Sequence, residues 1–131
     1  MSTGTYDGRP IVVRINAGAA RLADDGVLPH RLGIAVPLKH PNADGFPDAD
    51  ESADLIRIED SLCAVLEGEP EAVKVLVITT SGMREFVFYT ARAEVTVAAV
   101  LVLKAAATSH ELQTMMEHDP SWDVYRQFVS G

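Results

Sequence analysis

Hydrophobic and polar positions along the chain change period several times, and each change marks an element. From Tyr6 to Asn16, Ile11, Val13 and Ile15 recur at every second position, which predicts a strand entered through the turn-like pair Asp7-Gly8. The stretch Ala17 to His30 reads as a long connection, with one short helical turn over Ala19–Ala23 before the Asp25-Gly26 break. Arg31 to Leu38 is a second strand, closed by Pro37 and Pro41, and Pro41 to Pro47 is a loop of turn-forming residues. The period then lengthens: Leu55, Ile58, Leu62 and Val65/Leu66 fall three or four apart, the stripe of an amphipathic helix. Asp48, Asp50, Glu51 and Asp54 crowd its first turns, where the helix dipole favours negative charge, and Gly68 and Pro70 end it.

Ala72 to Thr80 is an apolar β-rich run, Ser81-Gly82 a turn, and Arg84 to Thr90 the returning strand, with Phe86 and Phe88 on one face and Val87 and Tyr89 on the other. Ala91 to Ala107 carries β-branched valines, but its length and alanine content predict a helix. His110 to Glu117 reads as a last strand. Asp119-Pro120 then opens a short helix, with Asp119 as N-cap and Pro120 at the first helical position. Trp122, Tyr125 and Phe128/Val129 share one face of that helix, which should dock on the domain.

The resulting order, β-β-α-β-β-α-β-α, predicts a single α+β domain over residues 1–131. From Arg31 onward it matches the ferredoxin-like split β-α-β arrangement, an antiparallel sheet with helices on one face. The first strand is then extra and has to join an edge.

Composition adds three constraints. A 131-residue chain with 47% hydrophobic residues can bury one core. The single cysteine, Cys63, cannot form an internal disulfide, and the polar N-terminus lacks the apolar stretch of a signal peptide, so the expected location is cytoplasmic. The net charge of −8 is uneven: Asp44 to Glu71 holds ten acidic residues and one base, Arg57, against nine acids and ten bases elsewhere. Such a segment repels phosphate backbones, so direct nucleic-acid binding is not expected, and no run is long and apolar enough for a membrane span. If the acidic segment has a partner, it is a basic protein surface.

Motifs for known chemistry are sparse. His30, His40, His110 and His118 lack metal-site spacing, and the oxygen-rich loop from His40 to Asp50 lacks the alternating ligands of a Ca²⁺ loop, so no metal or cofactor is expected. No glycine-rich phosphate loop or G-x-S-x-G motif occurs, and Cys63 lies beside Leu62 on the apolar side of the acidic helix, the position of an inert thiol. Polar residues on otherwise apolar strands stand out instead: Thr80, Arg84, Glu85, Tyr89 and His110. Arg84 and Glu85 point to opposite faces, and the Arg84 fork suits a carboxylate such as Asp119 or Asp123.

The segments DGRPIVVRIN, PHRLGIAVPLKHP, GFPDADE, LIRIEDSL, TTSGMREFVFYT and HDPSWDVYRQF, in this order and spacing, resemble a bacterial family known as domain of unknown function number six hundred and ninety-five. The resemblance runs from Tyr6 to Phe128 and is most specific at Thr79–Phe86 and Asp119–Tyr125. It implies no catalytic residue. Some members are similar to, or joined with, domains like the B-type regulator of ribonuclease E activity, an acidic inhibitor protein.

The expectation from sequence is a non-catalytic binding or regulatory module. It would engage another protein through an open sheet face or through the acidic helix, with Asp54, Glu59 and Asp60 off the apolar stripe. The alternative is a small enzyme with a polar pocket around Arg84, Glu85, Tyr89 and His110.

Overall fold

The computed structural model describes residues 2–6, 8–67, 72–106 and 109–129. The helix-stop residues Gly68 and Pro70 and the last alanine, Ala107, lie outside them. Strands β1 (Ser2–Tyr6) and β2 (Arg9–Ile15) form a hairpin where the hydrophobic pattern predicts one strand. The Gly8 φ of +77° supplies the reversal there. The first arm, STGTY, is too polar to signal a strand by period alone.

A 3₁₀ turn (Ala17–Ala19) and α1 (Ala20–Asp25) follow, then β3 (His30–Pro37), α2 (Ala49–Leu66), β4 (Ala72–Thr80), β5 (Met83–Thr90), α3 (Ala93–Ala106), β6 (Gln113–His118) and α4 (Asp123–Val129). The valine-rich segment is a helix, as its length predicts. The fold is α+β, with one antiparallel six-stranded sheet ordered β1-β2-β4-β5-β3-β6. The extra N-terminal strand joins at the β4 edge as β2, and β1 extends that edge further.

Alternation along β5 divides the core into two. Phe86 and Phe88 face α2 and α3, with Leu32, Ile34, Val36, Leu55, Leu62, Val77 and Val100. Val87 and Tyr89 face the opposite side, against Val13, Ala19, Ala23, Leu28, Trp122 and Tyr125. A bulge between Lys74 and Leu76 lets the adjacent Val75 and Leu76 both join this second cluster. Each large apolar side chain so buried contributes roughly 1.5–3 kcal/mol relative to exposure.

Two corrections concern the ends of elements. His110 precedes β6, which begins at Gln113, because its ring turns inward to a carboxylate instead of joining the ladder. The terminal helix begins at Asp123, not at Pro120: Trp122 holds φ +56°, and residues 119–122 form a turn. Asp119 still caps the helix, its Oδ1 accepting the Asp123 N–H at 2.9 Å, but across that turn.

The β4–β5 turn is stitched to the β3–α2 loop. The Gly82 N–H donates to the Gly45 carbonyl at 3.0 Å, and the Leu38 N–H to the Gly82 carbonyl at 2.9 Å. Ser81 and Gly82 both have positive φ, +53° and +78°. At Gly45 (φ +85°) a Cβ would stand 2.8 Å from the Gly82 nitrogen, so only glycine allows this approach.

Trp122 is fully buried, stacked on Tyr89 with centroids 4.1 Å apart and edge-on to Tyr125 at 5.4 Å. Trp122→Ala is expected to cost about 3–5 kcal/mol in denaturant unfolding, and native emission should be blue-shifted and resistant to iodide. Gly82→Val should cost about 1–3 kcal/mol through backbone strain, measured as a lower unfolding midpoint.

Candidate functional site

The structure scatters the residues singled out by sequence. Arg84 lies on the α2 side of the sheet with Phe86, whereas Glu85 and Tyr89 lie on the opposite side with Val87. Thr80 is used at the end of β4, its hydroxyl donating to the Pro10 carbonyl of the neighbouring β2 at 2.8 Å. Tyr89 donates to Asp119 at 2.6 Å. Glu85 sits over Gly33 and makes no hydrogen bond among the described residues. Burial raises its pKa, opposed by the charge of Arg31.

The Arg84 guanidinium meets neither Asp119 nor Asp123; its Nε donates to the Thr79 hydroxyl at 2.9 Å. Burial, and then the charge of Arg14, lower its pKa. Asp119 is instead claimed by Arg31 at 3.0 Å, by Tyr89 and by the N-terminus of α4. Burial alone would raise the Asp119 pKa, but these donors hold it below the usual carboxylate range.

On α2 the three acidic candidates have different fates. Asp60 is exposed, and Asp54 is half-buried and paired with Arg57 at 2.5 Å. Glu59, expected on the solvent face, is buried, because β2 and β4 bring Arg14 (2.5 Å) and Lys74 to its two oxygens. Their hydrogen bonds and charges outweigh burial and lower its pKa. The Cys63 thiol is pushed up, first by burial and then by Glu67, consistent with an unreactive side chain.

A different constellation gathers at the N-terminal end of α2. Asp48 caps the helix, accepting the Glu51 N–H at 2.8 Å, and this fixes Glu51 at the third helical position. The Glu51 carboxylate is buried and accepts three donors: the Lys39 N–H at 2.5 Å, the His40 N–H at 3.0 Å and His110 Nε2 at 2.7 Å. Burial raises its pKa, but the bonds from Lys39, His110 and His40 together lower it. An ionised carboxylate can only accept, so His110 Nε2 carries the proton. In the neutral ring Nδ1 is then an acceptor, and the Ser109 hydroxyl lies 3.1 Å from it.

Ser109 lines a cleft of about 360 Å³ between α2 and α3, with Asp54, Arg57, Ile58, Ser61, Leu103, Ala106 and Leu112. A hydroxyl, an imidazole and a carboxylate are therefore in series, with the hydroxyl at a cavity and the carboxylate inside the protein. This is the order that nucleophilic catalysis needs.

The family model described as "Family of unknown function (DUF695)" matches residues 1–130. The chain belongs to the DUF695 family. Neither a curated protein nor a solved structure matches it. In this DUF695 chain no helix among the described residues is long and apolar enough to cross a membrane. Among the same residues, no three His, Cys, Asp or Glu side chains gather as a metal would require.

Of the sequence candidates, Asp54 lines the cleft, and His110 lies behind it, in contact with its lining residue Ser109. Glu51 and Ser109 carried no signal of this role: Glu51 sits in an acidic run that reads as a solvated first turn, and Ser109 in a polar connection. The spacing of Asp48 and Glu51 is the one local hint, because it marks a capped helix start.

The carboxylates of Glu51, Glu59 and Asp119 all have lowered pKa values in the folded state. The unfolded chain therefore binds more protons, and stability rises with pH in this range. The contribution should be complete above the unfolded carboxyl values of about 4 and lost as pH falls through the lower folded values. Glu51→Gln should cost roughly 1–3 kcal/mol at pH 7 and flatten the acid limb of stability against pH in urea unfolding.

Proposed function

We propose that this DUF695 chain is a small enzyme on a ferredoxin-like scaffold, acting at Ser109 in the α2–α3 cleft. The scaffold reading rests on strand order: β5 lies between β3 and β4, and β3 lies between β5 and β6, so each β-α-β unit is split by a strand of the other. The functional reading rests on one observation, the relay from Ser109 through His110 to a buried Glu51.

In the proposed reaction the Ser109 oxygen attacks the carbonyl carbon of a small ester, and its proton passes to His110 Nδ1. The Glu51 carboxylate stabilises the imidazolium, which returns the proton to the leaving alkoxide as the ester bond breaks. Water then cleaves the acyl-serine by the same path. The Arg57–Asp54 ion pair gives the cleft one polar side, and Ile58, Leu103 and Leu112 give it an apolar wall. Engagement of a basic protein through the acidic helix is less well supported, because Glu59 is buried in its own ion pairs.

A fluorophosphonate probe should form one adduct on the folded chain, mapped by peptide mass spectrometry to Ser109, and Ser109→Ala should abolish it. His110→Gln should slow labelling by about 10²–10⁴-fold, with circular dichroism confirming that the variant is folded. A folded wild-type chain that resists the probe and does not cleave p-nitrophenyl acetate would remove this reading.

A further inference from the structure

The charges around Glu59 do not balance. Arg14 on β2 and Lys74 on β4 share its carboxylate, and a third base, Arg84 on β5, shares the α2 face of the sheet with them. Arg14 stands opposite Val77 and Arg84 opposite Thr79, so the two arginines flank β4. Val77 and Thr79 are two residues apart and point to one side, the side on which Val77 and Phe86 meet α2. Strand spacing and rise put the two arginine Cα atoms about 12 Å apart, within the combined reach of their side chains over β4. After burial, the charge of Arg14 is what lowers the Arg84 pKa, as expected for guanidinium groups that approach each other.

Nothing cancels the charge of Arg84. Its Nε donates to the neutral Thr79 hydroxyl at 2.9 Å, and its two terminal nitrogens make no hydrogen bond among the described residues. Arg14 places one terminal nitrogen on Glu59 at 2.5 Å; its other N–H groups are unengaged among those residues, and its side chain is 46% exposed. Glu67, at the end of α2, is exposed and turned to the Lys74 N–H and Cys63. Three bases against the one buried acid leave two positive charges in excess, in a chain whose net charge is −8. We propose that Arg84 and Arg14 form a binding site for the phosphoryl group of a small ligand, seated over β4 on the α2 side of the sheet. A phosphoryl dianion matches the excess of two charges, whereas one carboxylate would cancel half of it, and its several oxygens suit two guanidinium forks at once. A nucleic acid is not the source of the phosphate, because the acidic run through α2 repels a phosphate backbone. The site is separate from the Ser109 cleft between α2 and α3 and does not depend on the chemistry proposed there.

Titration of the ¹⁵N-labelled full chain with inorganic phosphate tests the proposal, at constant ionic strength and slightly alkaline pH, where phosphate is mostly the dianion. The Nε–H resonances of Arg84 and Arg14 should shift saturably. Arg84→Gln should weaken phosphate binding, read from the backbone amides of β4 and β5, by about tenfold or more. Without phosphate, the thermal midpoint of Arg84→Gln should equal or exceed that of the wild type, because an unbalanced cation beside Arg14 is gone; an arginine kept for stability would lower it on removal. Resonances indifferent to phosphate, or a folded Arg84→Gln chain with wild-type affinity, would overturn the proposal. Equal saturation by acetate at the same concentrations would overturn the assignment to a phosphoryl group.

Discussion

The carboxylate of Glu51 joins three parts of the chain that are far apart in sequence. It takes backbone N–H groups from the start of the β3–α2 connection at Lys39 and His40, belongs to the first turns of α2, and receives the His110 ring from the segment before β6. A buried charge is costly unless its acceptor sites are filled, and here hydrogen bonds from backbone and imidazole fill them. Removing any donor leaves the others facing a partly desolvated anion. The interaction therefore fixes the entry to α2 and the exit from α3 together, and so the end of the cleft between the two helices.

Asp119 performs the corresponding task on the opposite face of the sheet. It accepts from Tyr89 on β5, Arg31 on β3 and the first turn of α4, and so aligns two central strands with the C-terminal helix. Trp122 fills the space beneath, and its indole N–H donates to the Leu28 carbonyl at 2.8 Å. Tyr125 reaches the Asn16 carbonyl at 2.7 Å, which draws the end of β2 into the same cluster. The aromatic rings supply buried area while their polar edges are satisfied, so burial costs little in lost hydrogen bonding.

Glu59 completes a set of three buried acids, each matched by donors from other elements. With Glu51 and Glu59 turned inward and Asp54 paired to Arg57, the acidic character of α2 is partly structural. A run of carboxylates in sequence thus divides into groups that hold the fold and groups, such as Asp60, that face solvent. The division follows from which faces of α2 the sheet and its basic residues approach.

The sequence by itself determined the elements whose cues are local. Three- and four-residue spacing marked α2, alternation assigned Phe86 and Phe88 to one side of β5 and Tyr89 to the other, and Ser81-Gly82 marked the turn with positive φ. These readings succeed because helix and strand periods are properties of the backbone. The polar strand β1, the late start of α4 and the inward turn of His110 depend on contacts made far along the chain. Only the tertiary structure decided that Glu51 and Glu59 are buried, that Asp119 belongs to Arg31 and Tyr89 instead of Arg84, and that Ser109 opens onto a cleft. A carboxylate carries the same charge on either face of a helix, and whether it is solvated or desolvated is set by the donors that folding brings to it.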